Sequence, residues 1–261
     1  MKSFSKIKYP LEAFALAMII YTRTFQEALL SGILILFIST FCLVFDEFFL
    51  KKLPDWSRNV SMTILTVSLS YALFGLVFKG LMGIHLTSGD IIINLALGAL
   101  IAIHVLQVYD GVDYNRFLLE GSSAYGAMIV IGLLREFFAQ GQLNGVEIAD
   151  LTFMSSGFQK LAIGLLFAGI VIAILNKIFK YSSTRLSSFY VLIPIVLVDQ
   201  PFLINSFGQT LSVLLSIVVT IVLLMSIKMG LSFSHISKEW KGLPIGMVSM
   251  SFLYLFLNTI M

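Results

Sequence analysis

The chain has 261 residues, 58% of them hydrophobic and only 12% charged, with a mean hydropathy of +0.97. Soluble domains are about half apolar and about a quarter charged, so this composition excludes an ordinary soluble enzyme and predicts an all-α polytopic membrane protein. The net charge of +3 has no basic stripe behind it, which argues against a nucleic-acid partner, and the single cysteine, Cys42, rules out an internal disulfide or a Cys-rich metal site.

The chain opens on Met1-Lys2-Ser3-Phe4-Ser5-Lys6-Ile7-Lys8, basic like the start of a signal peptide. The run after it has no small-x-small cleavage site, so it reads as an uncleaved first span. Nine apolar segments can be laid against the roughly 20 residues needed to cross hydrocarbon: 10–22, 26–48, 58–78, 90–108, 122–138, 157–179, 187–206, 208–228 and 242–260. The first is short and starts at Pro10, which suits a half-helix or re-entrant piece. The seventh carries Pro194 and Pro201, which predicts an interrupted helix. Irregular backbone at membrane depth is tolerated only inside protein or against a cavity.

Placement of the positive charges orients these segments. With the N-terminus in the cytoplasm, only Arg23, Lys79, Arg135 and Lys160 of the 17 Lys and Arg fall outside. That is a strong positive-inside bias. It predicts a membrane protein crossing nine times, N-terminus inside and C-terminus outside. Arg135 and the 139–156 loop then face outward.

Ionisable groups in hydrocarbon are functional candidates by default. Asp199, beside Gln200 and between the two prolines, is expected mid-span, either as a polar cap on a broken helix or as an ion- or proton-handling group. His104 and Asn94 share the fourth segment; His104 reads first as a buried hydrogen-bonding residue, and Asn94 as a bond across helices. Arg23 and Glu27 read as an interfacial pair, and Asp46 and Glu47 as solvated charges at headgroup level. Arg135 and Glu136, which end the fifth segment, read as interfacial. No metal site, phosphate loop, Ser/His/Asp set or paired-carboxylate hydrolytic site is evident.

Residues 9–180 resemble the six-span membrane subunits of the Rnf and Nqr redox complexes, in particular the Nqr D / Rnf E branch. The matching stretches are Tyr9-Pro10, Glu27-Ala28-Leu29, and Leu53-Pro54-Asp55-Trp56-Ser57-Arg58, similar to the family's Ile-Pro-x-x-x-Arg turn. The most specific is Gly132-Leu133-Leu134-Arg135-Glu136-Phe137-Phe138 with Gly141 and Gly145, similar to a Gly-Phe-Phe-Arg-Glu-Leu, Gly-x-Gly-x-Leu-x-Gly signature. Residues 189–261 resemble the second half of the sister Nqr E / Rnf A subunit. There the match lies in Leu192-Ile193-Pro194-Ile195-Val196, in Lys228, and in Lys241-Gly242 followed by Pro244-Ile245-Gly246-Met247. The resemblance implies inverted three-helix repeats with broken helices: a six-span unit over 1–180 and a three-span half repeat over 181–261.

The chain departs from that family where the cofactor sits. The family's Asn-Cys pairs, which hold an intramembrane iron–sulfur cluster, read Asn94-Leu95 and Asp199-Gln200 here, and the first segment has no cysteine. One Cys42 cannot supply a cluster's thiolates, and the family's flavinylation motif is missing. The resemblance therefore implies a membrane subunit of a flavin-linked electron-transfer system, similar to the extracellular systems of Gram-positive bacteria, with flavin or quinone carried by partners. Those partners would be other membrane subunits and an extracytoplasmic FMN-binding protein. Asp199, Gln200, Asn94 and His104 would line a midplane site, with Arg135, Glu136, Gly141 and Gly145 forming an outer docking surface and Lys228, Lys241 and Gly242 an inner motif. An ion or small-molecule transporter, or an assembly subunit, on the same scaffold remains the alternative.

Overall fold

A computed structural model describes residues 9–107, 113–149, 152–181, 187–199, 209–232 and 237–260. Among these residues the α-helices are α1 (Leu11–Ile20), α2 (Phe25–Phe48), α3 (Asp55–Gly75), α4 (Ser88–Gln107), α5 (Tyr114–Gln140), α6 (Leu161–Phe179), α7 (Ser187–Asp199), α8 (Gln209–Ser232) and α9 (Leu243–Ile260). Each predicted segment holds one of them. Phe25–Lys52, Asp55–Leu81, Ser88–Gln107, Tyr114–Gln140 and Leu161–Phe179 are long and apolar enough to cross a bilayer; α1 and α7 are shorter apolar helices. The outer surface agrees with a protein of membrane type. On α2, Ile33, Phe37, Phe41, Val44 and Phe48 form one exposed stripe at helical spacing, a contiguous apolar face that water-soluble monomers avoid.

The centre of the bundle is α1. Its sequence, Leu-Glu-Ala-Phe-Ala-Leu-Ala-Met-Ile-Ile, is apolar on every side but for Glu12, and the other nine residues are buried. A helix that is hydrophobic all round belongs inside, and α2, α4, α5, α6 and α7 enclose this one.

Contacts fix the helix directions. Gly132 lies on Ala28, and Gly32 on Tyr125, so α2 and α5 are antiparallel. Gly98 lies on the backbone of Thr66 and Val67, and Ser70 Oγ donates to the Asn94 carbonyl at 2.8 Å, which makes α3 and α4 antiparallel. Ser251 Oγ donates to the Ala162 carbonyl at 2.6 Å and Asn176 Nδ2 to the Glu239 carbonyl at 3.1 Å, so α6 and α9 are antiparallel as well. Gly164 meets Ile19 where α6 begins and α1 ends. At the other end of α1, Ser187 of α7 bonds Glu12 at 2.7 Å.

Two local features differ from the sequence reading. The third segment runs on through a π-helical turn, Leu76–Leu81. Along the seventh segment, α7 carries Pro194 inside it, and Pro201 lies outside the described residues. The 139–156 connection contains an antiparallel hairpin, β1 (Gln142–Leu143) and β2 (Val146–Glu147). Asn144 and Gly145 both have positive φ, 53° and 78°, as the type I′ turn of an Asn-Gly hairpin requires. Gly141 ends α5 in the left-handed conformation at φ 67°.

The α3–α4 contact gives a direct test of the packing. A Cβ on Gly98 would sit 2.6 Å from the Val67 Cα, whereas one on Gly126 would meet nothing within 4 Å. Gly98→Ala should lower stability by about 1–3 kcal/mol, and Gly126→Ala should be neutral or raise it by up to about 1 kcal/mol. Thermal unfolding of the purified protein in detergent measures both.

Candidate functional site

A ten-residue helix is about 15 Å long, and because α1 is buried its unpaired terminal backbone groups must find partners inside the protein. At its C-terminal end the partner is Arg135, whose side chain is fully buried. Nη1 donates to the Ile19 carbonyl at 3.1 Å and to Thr22 Oγ1 at 2.7 Å. Nε donates to the Phe158 carbonyl at 3.1 Å, and Nη2 to the carbonyls of Gln159 and Lys160 at 2.9 and 3.3 Å. A cation here complements the negative end of the α1 dipole, and the rigid fork of a guanidinium reaches acceptors on two segments at once. A Cβ on Gly164 would come within 3.0 Å of Nη1, so glycine at that position lets α6 approach.

Glu136 points the other way. Its Oε2 accepts from the Phe25 amide at 2.6 Å and its Oε1 from the Asn144 amide at 2.8 Å. The first of these is the opening amide of α2, at the positive end of that dipole. Thr24 Oγ1 caps the same end through the Glu27 amide at 3.2 Å. Arg135 and Glu136 thus hold the end of α1 and the start of α2, and neither bonds the other. The expectation of an outer docking surface is corrected for both: their side chains are 0% and 5% exposed and are spent on internal bonds.

The opposite end of α1 carries acids. Glu120, also buried, accepts at Oε1 from Arg116 Nε at 2.6 Å and from the Tyr181 hydroxyl. Glu12 accepts from Ser187 Oγ at 2.7 Å. The Tyr9 hydroxyl is buried nearby without a hydrogen-bond partner. Sequence reasoning missed Glu120 because the fifth segment was started at 122, whereas the helix starts at Tyr114. The i,i+4 spacing of Arg116 and Glu120 was the available signal.

Beside the C-terminal end of α1, the Tyr21 hydroxyl donates to Asn94 Oδ1 at 2.6 Å, while Asn94 Nδ2 is buried without a partner. The Tyr21 ring rests on Phe74 and Phe78, with centroids 5.4 and 5.0 Å away. The residues expected to share a midplane site do not meet in one place. His104 is buried, three turns further along α4 and about 15 Å from Asn94 by helical rise. Asp199 is exposed at the end of α7, next to Val198, which packs near the start of α4. Gln200 lies outside the described residues. Among the described residues no cluster of three His, Cys, Asp or Glu could hold a metal. Lys228 falls within α8, Lys241 is exposed, and Gly242 turns into α9 at φ 89°.

Asp46 also departs from expectation. It is buried and bonds Arg58 through both oxygens, at 2.7 and 2.6 Å, across the α2–α3 connection. A carboxylate can be buried there because the planar fork of Arg58 satisfies it. Glu47 remains exposed and accepts from the Tyr114 hydroxyl at 2.6 Å.

The arrangement positions helix ends and buries charge. No protein-family model, curated protein or solved structure matches the chain.

The clamp has a measurable strength. Arg135→Lys replaces a fork by one point of charge and strands at least two carbonyls. At about 1.5 kcal/mol or more per charge-assisted bond, it should lower stability by about 3 kcal/mol. Glu136→Gln exchanges an acceptor oxygen for a donor facing an amide and should cost about 1–3 kcal/mol. Unfolding midpoints in detergent equal to those of the parent would show that these bonds do not hold the bundle.

Proposed function

We propose that the protein is an integral membrane subunit of an electron-transfer system related to the Rnf and Nqr complexes. It would sit in a bacterial cytoplasmic membrane and serve the passage of electrons towards an extracytoplasmic flavoprotein. The observation that carries this reading is a reciprocal pair of contacts. Glu136, near the end of α5, bonds Phe25 at the start of α2, while Glu47, near the end of α2, bonds Tyr114 at the start of α5. Glu47 follows Phe25, and Glu136 follows Tyr114, by the same 22 residues. In the same register Gly32 lies on Tyr125 and Gly121 on Leu36. Exchanging α2 for α5 turns each contact into the other. That is the relation an inverted three-helix repeat requires, and it supports the six-helix unit that the resemblance implies for 1–180. Arg135 and Glu136 of that resemblance's signature are also the residues that hold the end of α1 and the start of α2.

Electron carriage would rest on partners. Cys42 is buried in α2, and Asn94 is tied to Tyr21 rather than to a thiolate neighbour. Flavin or quinone brought by other subunits and by an exported flavoprotein would bridge a bilayer about 30 Å thick. A second reading, an ion or small-molecule transporter, draws on one specific observation: Glu12 and Glu120 gather at one end of α1 beside the unpartnered Tyr9 hydroxyl.

Deletion of the gene separates the two. The redox reading expects loss of external ferric-iron reduction, with flavin or a flavoprotein co-purifying with the tagged chain. Intact reduction together with lost uptake of a solute would favour the transporter. Orientation is tested independently in a Cys42→Ala background. A cysteine at Glu147 should react with a membrane-impermeant maleimide in intact cells, and one at Lys51 only after permeabilisation; the reverse pattern would invert the topology.

A further inference from the structure

The α3–α4 pair carries a buried hydrogen-bond donor that the bundle leaves unused. Asn94 is 1% exposed. Its backbone carbonyl accepts from Ser70 Oγ at 2.8 Å and its Oδ1 from the Tyr21 hydroxyl at 2.6 Å. The side chain is thereby fixed, yet Nδ2 has no partner. A buried amide N–H without an acceptor is costly, and it calls for an acceptor from outside the chain, a ligand or an ordered water. The surroundings are aromatic. Tyr21, Phe74 and Phe78 lie against one another, and the two phenylalanine rings are parallel to within 1°. Phe78 belongs to the π-helical turn Leu76–Leu81, a rare form that recurs at functional sites, and its carbonyl accepts from the Ile84 amide at 2.9 Å. Apolar surface is close by. Leu76 on this turn, and Ile92 and Leu95 on either side of Asn94 in α4, are exposed. A single polar group among apolar and aromatic walls is the usual make-up of a small-molecule site.

We propose that Asn94, Tyr21, Phe74 and Phe78 form a binding site for the head of a quinone. One quinone carbonyl accepts from Asn94 Nδ2, the ring lies on the aromatic cluster, and the apolar tail leaves past Leu76 and Leu95. The unpaired group is a donor, which selects a carbonyl over a cation. The aromatic walls select a planar ring over a lipid headgroup. Asp90, one turn before Asn94 and bonded to Thr87, disfavours the phosphate of a flavin nucleotide. The inference takes its choice of a redox-active ligand from the electron-transfer reading and deepens it by giving this chain a carrier site of its own.

The purified protein in detergent is titrated with 2-methyl-1,4-naphthoquinone and with 2-methylnaphthalene, which has the ring and no carbonyl. The quinone should bind about tenfold more tightly, the worth of one buried hydrogen bond. In infrared difference spectra one carbonyl stretch of the bound quinone should lie below its position in empty micelles. Asn94→Ala should remove both the preference and the shift. Tyr21→Phe, which keeps the ring and the donor, should retain the shift, and Phe37→Ala on the exposed stripe of α2 should change neither. Should Asn94→Ala fail to fold, the two compounds compared on the parent protein decide. Equal affinity for them, an unshifted carbonyl, or an Asn94→Ala protein that behaves like the parent would each overturn the proposal and leave an ordered water as the partner of Nδ2. Tighter binding of riboflavin than of the quinone would overturn it too. The electron-transfer reading fails separately: quinone binding with external ferric-iron reduction intact after gene deletion sustains the site against that reading, and lost reduction without quinone binding does the reverse.

Discussion

The structure depends on one guanidinium. A ten-residue helix placed at the centre of an apolar bundle leaves its last carbonyls out of reach of water, and unsatisfied backbone in such a place costs several kcal/mol per group. Arg135 answers this by donating to Ile19 and Thr22 on one side and to Phe158, Gln159 and Lys160 on the other. The segment entering α6 is therefore fixed to the segment leaving α1. The next residue, Glu136, fixes the start of α2. One turn of α5 thus decides where three other helices begin or end.

The two ends of α1 are matched to its dipole. The negative end meets Arg135, and the positive end lies at the level of Glu12 and Glu120. Buried charge usually needs a counter-charge. Here Glu120 has Arg116, and Asp46 has Arg58, but Arg135 is satisfied by neutral carbonyls and a hydroxyl. Asp46 and Arg135 hold corresponding places before Glu47 and Glu136, yet they carry opposite charge. Asp46 turns to the helix that follows it in the chain, whereas Arg135 turns to the core. The ends of α2 and α5 are alike in their reciprocal contacts and different in the charge of the residue before each glutamate.

Much of the fold was legible because hydrocarbon imposes it directly. Nine apolar runs, the first of them short, correspond to helices α1 to α9. What was not legible is which terminal charges turn inward. Asp46 and Glu47 are neighbours with the same composition around them, and only the partner at Arg58, across a turn, buries one and leaves the other exposed. Arg135 and Glu136 stood out as a motif, but a linear string cannot say that their acceptors are the ends of α1 and α2, more than a hundred residues away. Asn94, His104 and Asp199 lie apart for a related reason: residues of adjacent apolar segments can occupy different faces and levels of the bundle. The Asn144-Gly145 hairpin was missed as well, although an Asn-Gly dipeptide is the signal of its turn.

These placements bear on how charge would cross. Between Glu12 and Arg135 the column is Ala-Phe-Ala-Leu-Ala-Met-Ile-Ile, closed on all sides and without a titratable group. The polar groups of α1 are thus confined to its two ends. Polar groups do occur on the α3–α4 side, where Tyr21, Asn94 and Ser70 are linked by hydrogen bonds and Asn94 keeps an unpaired donor. An electron carrier with a carbonyl to offer could be recognised by that donor, and the Tyr21, Phe74 and Phe78 rings next to it would suit a planar head. A transported cation could not be, because an amide N–H repels it. The donor left unpaired beside α1 and the carboxylates gathered at its far end thus lie at opposite ends of the same helix.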